Sequence, residues 1–558
     1  MRFPMMNRCS GALLLSLLPA LSCGQGLSFD AREATIASTH HALYTGLTTC
    51  REIVSSFLSR IEALNNHTNA IIRLNPDALD TASRFDTMLT SGNATTGSLF
   101  CIPVLLKDNY DTANMPTTGG NLDLADSRPS IDAPAVTALK NAGAIVLGKA
   151  NLHELALEGI SVSSLGGQTI NPYDSTRTPG GSSGGSGAAV AASFSVFSTG
   201  TDTVNSLRSP ASANSLFSCR PTRGLISRVG IIPISYTQDV IGPIGRCVED
   251  VATALTVMSS IGFDSGDNAT ALVPAGVRDS DYSASLTTGS LKGKRFGVLE
   301  GFFNRTASNE TTPVNNVMDR MTAKLRSAGA TIIPINETIY NATAILAMYD
   351  TQRYEYREEM NAYLQRPSLK GSHPQTLNQL YASGKFLVIP SQYEYVTTAL
   401  VSSTGNTTNG THQAYATIQR GIANLTLALQ ETFARNNLDA ILYPEQKNLV
   451  VKLGALSQSG RNGILAALTG SPVVTVPAGF SPETADAPIG VPIGMEMLGQ
   501  PYTEAKLLQM AYQIQELAKV RRTPVWARQS VPARNYTAVP SVTPNRGNIP
   551  STYPLGTL

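Results

Sequence analysis

Histidine, cysteine, tryptophan and charge are all scarce in this chain of 558 residues, and each scarcity narrows what the protein does. The six histidines are His40, His41, His67, His153, His373 and His412. None forms H-E-x-x-H, and the adjacent His40 and His41 face different ways on a helix, so no metal site is expected. Charged residues make up only 15%, with 42 basic against 40 acidic side chains scattered among one another. No long basic run is present, so neither nucleic acid nor an anionic membrane is expected as a partner. No 18-residue apolar run follows the N-terminus, so no membrane span is expected. With 42% hydrophobic residues the chain nevertheless reads as globular.

The start of the chain differs from the rest. Arg2 and Arg8 precede the apolar run Ala12 to Leu21, and Ser22, Cys23 and Gly24 supply small residues for cleavage. This is the pattern of a secretory signal peptide over residues 1–24, and its removal leaves forty basic and forty acidic residues. Eleven N-x-S/T sequons begin at Asn66, Asn93, Asn268, Asn304, Asn309, Asn336, Asn341, Asn406, Asn409, Asn424 and Asn535, which fits a secreted, N-glycosylated protein. Of the six cysteines, Cys9 and Cys23 fall in or at the leader. Cys50, Cys101, Cys219 and Cys247 remain, either as two disulfides in one of three pairings or as buried free thiols.

Further along, strands alternate with helices. Thr49 and Glu52 form a capping box, and Ile53, Val54, Phe57, Leu58, Ile61 and Leu64 recur at helical spacing. CIPVLLKD (101–108) reads as a buried strand with Lys107 at its C-terminal end. A helix near 133–142, the apolar run AIVLGKA from Ala144, a strand in SPVVTVPAGF from Ser471 and a helix opened by Thr503 continue the pattern. Between 264 and 437 it loosens into polar, sequon-rich segments around helices such as 314–328, read as insertions over the sheet. After Arg521 recurrent prolines indicate an extended tail, 521–558. No internal repeat is present.

Chemistry concentrates in TPGGSSGGSGAAVAASFSVFSTGTDTVNSLRSPAS, residues 178–212. Glycines admit backbone where a side chain would clash. A flexible linker would not pass into an Ala/Val helix and then into Gly200-Thr201-Asp202. Two decoys fall away. Gly181 to Gly185 fits G-x-S-x-G and would nominate Ser183, but the polar NPYDSTRTP before it is no strand. Gly143 to Lys149 approaches a phosphate loop but ends in Ala150. His153, with Glu154 and Glu158, is read as part of a helix near the core, without chemistry.

The motifs CIPVLLKD, PGGSSGGSGAA (179–189), GTDTVNSLRSPA (200–211), RPTRG (220–224), SPVVTVPAG and PIGMEMLGQPYTEAKLL together resemble the amidase signature family, over about residues 33–520. The resemblance implies one large α/β domain, residues 25–520, with a central mixed β-sheet flanked by helices on both faces and a catalytic core at about 100–250. It implies Ser206 as nucleophile, Ser182 as a bridging serine with a cis peptide bond, and Lys107 as base. Backbone N–H groups of Thr203, Val204, Asn205 and Ser206 would form the oxyanion hole, Asp202 and Arg208 would support that loop, and no cofactor or metal would be needed. The chemistry is coherent. A serine hydroxyl needs a proton acceptor, and lysine serves only when burial makes it neutral. Where most members carry Gly-Gly before the nucleophile, this chain has Val204-Asn205. A β-branched residue disfavours left-handed backbone, so the turn either stays in allowed space or has altered geometry.

The expected function is therefore a secreted amidase converting a small-molecule carboxylic amide to acid plus ammonia or amine. The alternatives are the glutaminase-type subunit of a tRNA-charging amidotransferase, a metabolite-pathway amidase, and a catalytically inactive binding protein on the same scaffold.

Overall fold

The computed structural model describes residues 29–92, 96–405 and 411–558. The leader reading (1–24) and Asn93, Asn406 and Asn409 lie outside these residues.

A mixed sheet of eleven strands runs through the molecule. In chain order the strands are β1 (Ile71–Leu74), β2 (Pro103–Lys107), β3 (Ile145–Ala150), β4 (Phe197–Asp202), β5 (Phe217–Arg220), β6 (Val240–Gly245), β7 (Arg295–Leu299), β8 (Thr331–Ile335), β9 (Ala440–Pro444), β10 (Val473–Phe480) and β11 (Pro492–Leu498). Their spatial order is β1-β3-β2-β4-β6-β5-β10-β11-β9-β7-β8. β2 lies parallel to both β3 and β4, and β7 lies parallel to β8 and β9. The other pairings are antiparallel. Every residue of β2, β4, β5, β6, β9 and β11 is buried, whereas the edge strand β8 is largely uncovered. Strands covered on both faces need not alternate polar with apolar residues, which is why PVLLK reads as a near-continuous apolar run.

Helices flank this sheet. α1 (Cys50–Leu64) begins with the expected reciprocal cap between Thr49 and Glu52, and α2 (Pro134–Asn141) leads into β3. α3 (Gly184–Ala191) consists of GGSGAAVA and is buried along its whole length. A side chain at Gly185 would overlap the Asn151 backbone, so only glycine lets this helix approach so closely. α4 (Arg208–Ala213) is likewise fully buried and packs on β10 and β11. Further helices include α5 (Val248–Ser259), α6 (Thr312–Ser327), α7 (Ala342–Tyr349), α8 (Gln352–Gln365), α9 (Thr411–Asn436), α10 (Ile464–Thr469) and α11 (Glu504–Ala518). The segment 264–437 thus supplies the sheet strands β7 and β8 as well as helices α6 to α9.

His153 is not in a helix as the sequence suggested. It has extended backbone and flanks a single 3-10 turn, Glu154–Ala156, because Leu155 and Ala156 both take positive φ and no helix propagates. Cys50 and Cys101 form a disulfide with their Cα atoms 5.5 Å apart, joining α1 to the approach to β2. Cys219 and Cys247 are free. Residues 521–558 run extended over the surface. Trp526 stacks on His67, Arg534 N–H donates to Ser59 Oγ (2.9 Å), and Asn548 Nδ2 donates to Gln168 O (2.8 Å). Among the described residues no helix is long and apolar enough to cross a membrane.

Candidate active site

Three chain segments converge at the C-terminal ends of β2 and β4. Because these strands are parallel, Lys107 and Asp202 emerge at the same end of the sheet, and the start of α3 lies against both. Lys107 is completely buried. Its Nζ donates to Ser182 Oγ (2.8 Å) and to Thr201 Oγ1 (2.7 Å). Burial pushes its pKa down from 10.5 to about 7, partly opposed by the negative charges of Asp202 and Asp239. The neutral amine is therefore well populated at neutral pH.

The Gly181–Ser182 peptide bond is cis. Ser182 is fully buried, and its carbonyl accepts from His153 N–H (3.0 Å). His153 itself is held neutral, burial lowering its pKa to about 4. Ser183 N–H donates to Ser206 O (3.2 Å), so the glycine-rich loop is tied directly to the turn that carries Ser206.

That turn, Thr203 to Ser206, joins β4 to α4. None of its four residues has positive φ, so Val204-Asn205 keeps to allowed backbone space. Val204 is buried in an apolar cluster with residues of α7 and α10, including Ile345 and Leu465. Asp202 anchors the turn from below. Leu207 N–H donates to its Oδ2 (3.1 Å), Arg208 pairs with it through Nε and Nη2, and Arg220 Nη1 reaches Oδ1 at 2.6 Å. Burial would raise the Asp202 pKa, but the two guanidiniums override that and hold it at about 2. Arg208 also donates to Glu496 Oε2 (2.7 Å). Beside this cluster, Glu445 accepts from Asn205 Nδ2, and burial together with the Glu496 charge raises its pKa. Thr203 Oγ1 donates to Asp239 (2.6 Å), and Gln238 Nε2 donates to Thr203 O (3.2 Å).

Thr203 to Ser206 form one wall of a cavity of about 350 Å³. Leu157 and Glu158 line another side, and Thr343, Leu346, Asp350, Arg353, Gln392 and Tyr395 close it from the 264–437 segment. Glu158 is buried and paired with Arg461 (3.2 Å). Among the described residues no cluster of three or more His, Cys, Asp or Glu side chains could hold a metal ion.

All the residues nominated from sequence, Lys107, Ser182, Asp202 to Ser206 and Arg208, are brought together. Sequence reasoning did not single out Thr201 as the second acceptor for Lys107, nor Glu445 and Gln458 behind the turn. Arg220 and Glu496 lay inside the motifs RPTRG and PIGMEML, and those motifs were the available signal. Insertions in 264–437 were expected to shape the pocket, but which of their residues form the cavity wall had no signal, because those residues are far away in sequence and chemically ordinary.

A buried lysine and two serine-bearing loops meet at one end of a mixed sheet, and the turn that carries Ser206 opens on a cavity of small-molecule size, the arrangement of an enzyme site on an α/β scaffold. The chain belongs to the Amidase family, whose model matches residues 52–508. It is 32% identical over 528 residues to a probable amidase of Arabidopsis thaliana, covering 92% of this chain and 96% of that protein. It is 31% identical over 515 residues to a glutamyl-tRNA(Gln) amidotransferase subunit from Alkalilimnicola ehrlichii, covering 88% and 98%. Among solved structures, native peptide amidase from Stenotrophomonas maltophilia superposes with a TM-score of 0.74 at 31% identity, covering 88% of this chain and 98% of that one. The protein is an amidase, a hydrolase of amide C–N bonds.

Proposed function

We propose that the protein hydrolyses small-molecule carboxylic amides through an acyl-enzyme on Ser206, with Ser182 and Lys107 as a proton relay. The observation that carries this is the 2.8 Å contact from a fully buried Lys107 to Ser182, beside the turn on which Ser206 faces the cavity. Neutral Lys107 takes the Ser182 proton as Ser182 takes that of Ser206. Ser206 Oγ attacks the carbonyl carbon, and N–H groups of Thr203 to Ser206 meet the developing oxyanion. Such a donor is typically worth about 3–4 kcal/mol of barrier. Asp202 and Arg208 hold that turn in place. The relay returns the proton to the leaving nitrogen, the C–N bond breaks, and ammonia or amine departs. Water then enters by the same relay and frees the acid. Ser206→Ala is expected to abolish turnover of every amide that wild type cleaves, and full turnover by this variant on any of them refutes the assignment.

We further propose that the protein is secreted and N-glycosylated. All eight sequon asparagines within the described residues (Asn66, Asn268, Asn304, Asn309, Asn336, Asn341, Asn424 and Asn535) are exposed, as glycan attachment requires. Protein recovered from culture medium that loses mass on endoglycosidase treatment supports this. Intracellular protein of unmodified mass refutes it.

A second reading follows from the amidotransferase relatives. In it the chain is a glutaminase-type subunit, expected to cleave glutamine and to respond to partner subunits. Free amide hydrolysis by the purified chain, with glutamine a poor substrate, excludes it.

A further inference from the structure

Asn205 stands immediately before Ser206, where a glycine would give the turn maximal backbone freedom. The residue is 1% exposed and is fixed at both ends. Its carbonyl accepts from Arg208 N–H (3.0 Å) and Ser209 N–H (2.8 Å), which ties the turn to the first residues of α4. Its side-chain Nδ2 donates to Glu445 Oε1 (2.8 Å) and lies 3.4 Å from Gln458 Oε1.

These acceptors are themselves anchored. Glu445 directly follows β9, its N–H donates to Gly494 O in β11 (3.1 Å), and its carbonyl accepts from Asn462 N–H (3.1 Å). Gln458 N–H donates to the buried Glu158 (3.0 Å), and Gln458 Nε2 donates to Ser209 Oγ. From the other side, Arg208 Nη2 bridges Val204 O and Gly463 O (3.0 Å to the latter). Gly463 leaves no slack, since a Cβ there would overlap both Val204 O and Asn205 Cβ.

We propose that Asn205 is a positioning residue for the reaction. Its carboxamide, held by Glu445 and Gln458, latches the Thr203–Ser206 turn to the end of β9 and fixes where the backbone N–H groups and Ser206 Oγ point. The latch replaces, by side-chain hydrogen bonding, what a glycine turn must achieve through packing alone. Burial and the Glu496 charge favour the protonated Glu445, so the latch sits next to the Asp202, Arg208, Arg220 and Glu496 cluster without adding a negative charge. The inference rests on the reading of Ser206 as nucleophile.

Steady-state kinetics of Asn205→Ala, Glu445→Ala, their double variant and Glu445→Gln on one amide test it. The two single variants should lose kcat by roughly 10- to 100-fold, the scale of a displaced reacting group, with KM within about threefold of wild type. The double variant should lose no more than the worse single one, because both break one latch. Glu445→Gln, which keeps an acceptor for Nδ2, should recover most of the loss of Glu445→Ala. Unchanged kcat in Asn205→Ala, additive losses, or a loss confined to KM each overturns the proposal. If Asn205→Ala does not fold, Asn205→Leu decides: it keeps the bulk but has no side-chain hydrogen bond to offer Glu445 or Gln458, and a wild-type kcat in it overturns the latch. The two readings fail separately. Turnover by Ser206→Ala refutes the nucleophile, whereas a dead Ser206→Ala beside a fully active Asn205→Ala refutes only the latch.

Discussion

The base role proposed for Lys107 carries a cost to the fold. Its pKa is about 7 in the native protein against 10.5 for a free side chain, and the cause is burial. Below pH 7 the ammonium form cannot accept a proton, so kcat/KM is expected to rise with pH through an inflection near 7, as a pH–rate profile on a neutral amide will show. The stability sign follows from the same shift. Between about pH 7 and 10.5 the unfolded chain holds a proton that the folded chain lacks, so stability from this residue increases as pH rises through that window. The full penalty, on the order of 5 kcal/mol, applies below pH 7. Lys107→Met is therefore expected to lose activity yet resist urea better than wild type at pH 7, with the gap narrowing toward pH 10. A gap that is constant with pH contradicts the buried neutral amine. Of the residues around Lys107, Ser182 was legible because it sits at a fixed place in the glycine-rich motif. Thr201 was not, since a threonine that accepts from a lysine looks like any strand threonine until the two strands are laid side by side.

Among the elements, α4 and the end of β4 depend on a buried ion cluster. Removing Asp202 leaves Arg208 and Arg220 buried without their shared counter-charge, so Asp202→Ala is expected to cost about 3–5 kcal/mol in denaturant unfolding and to abolish activity with it. A second element-level tie is the Cys50–Cys101 disulfide, which closes a loop of 51 residues between α1 and β2. By loop-closure entropy the Cys50→Ala/Cys101→Ala pair is expected to lose about 4 kcal/mol of stability with little change in kcat, since neither sulfur approaches the cavity. The strands of the sheet were legible where continuous apolar runs met charged ends, as in CIPVLLKD. The pairing of Cys50 with Cys101 was not, because loop spacing is compatible with every pairing and only the docking of α1 beside β2 selects one. The His153 segment misled for a local reason: its residues suit a helix, but backbone at Leu155 and Ala156 turns left-handed.

For the molecule as a whole, the chain winds back on itself at the end. Residues 521–558 cross α1, Asn69 and Gln168 and reach as far as Ala455, where Tyr553 OH donates to the carbonyl. Truncation after residue 520 is expected to destabilise the protein by more than the roughly 2–3 kcal/mol of one buried side chain, because it removes Trp526 and also the Ala527 and Gln529 carbonyls that accept from buried Arg60, while kcat per folded molecule stays near wild type. Prolines announced an extended tail, but where it docks depends on side-chain to backbone contacts hundreds of residues apart. The same applies to the cavity, whose outer wall comes from α7, α8 and the residues up to Tyr395. The central claim, that Ser206 is the nucleophile activated by Ser182 and Lys107, is tested most directly by reacting the folded enzyme with a fluorophosphonate and mapping the adduct by peptide mass. One adduct on Ser206 is expected, absent in Ser206→Ala and strongly slowed in Lys107→Met. An adduct on Ser183 or another serine, or amide turnover that survives full loss of Ser206, would contradict the account.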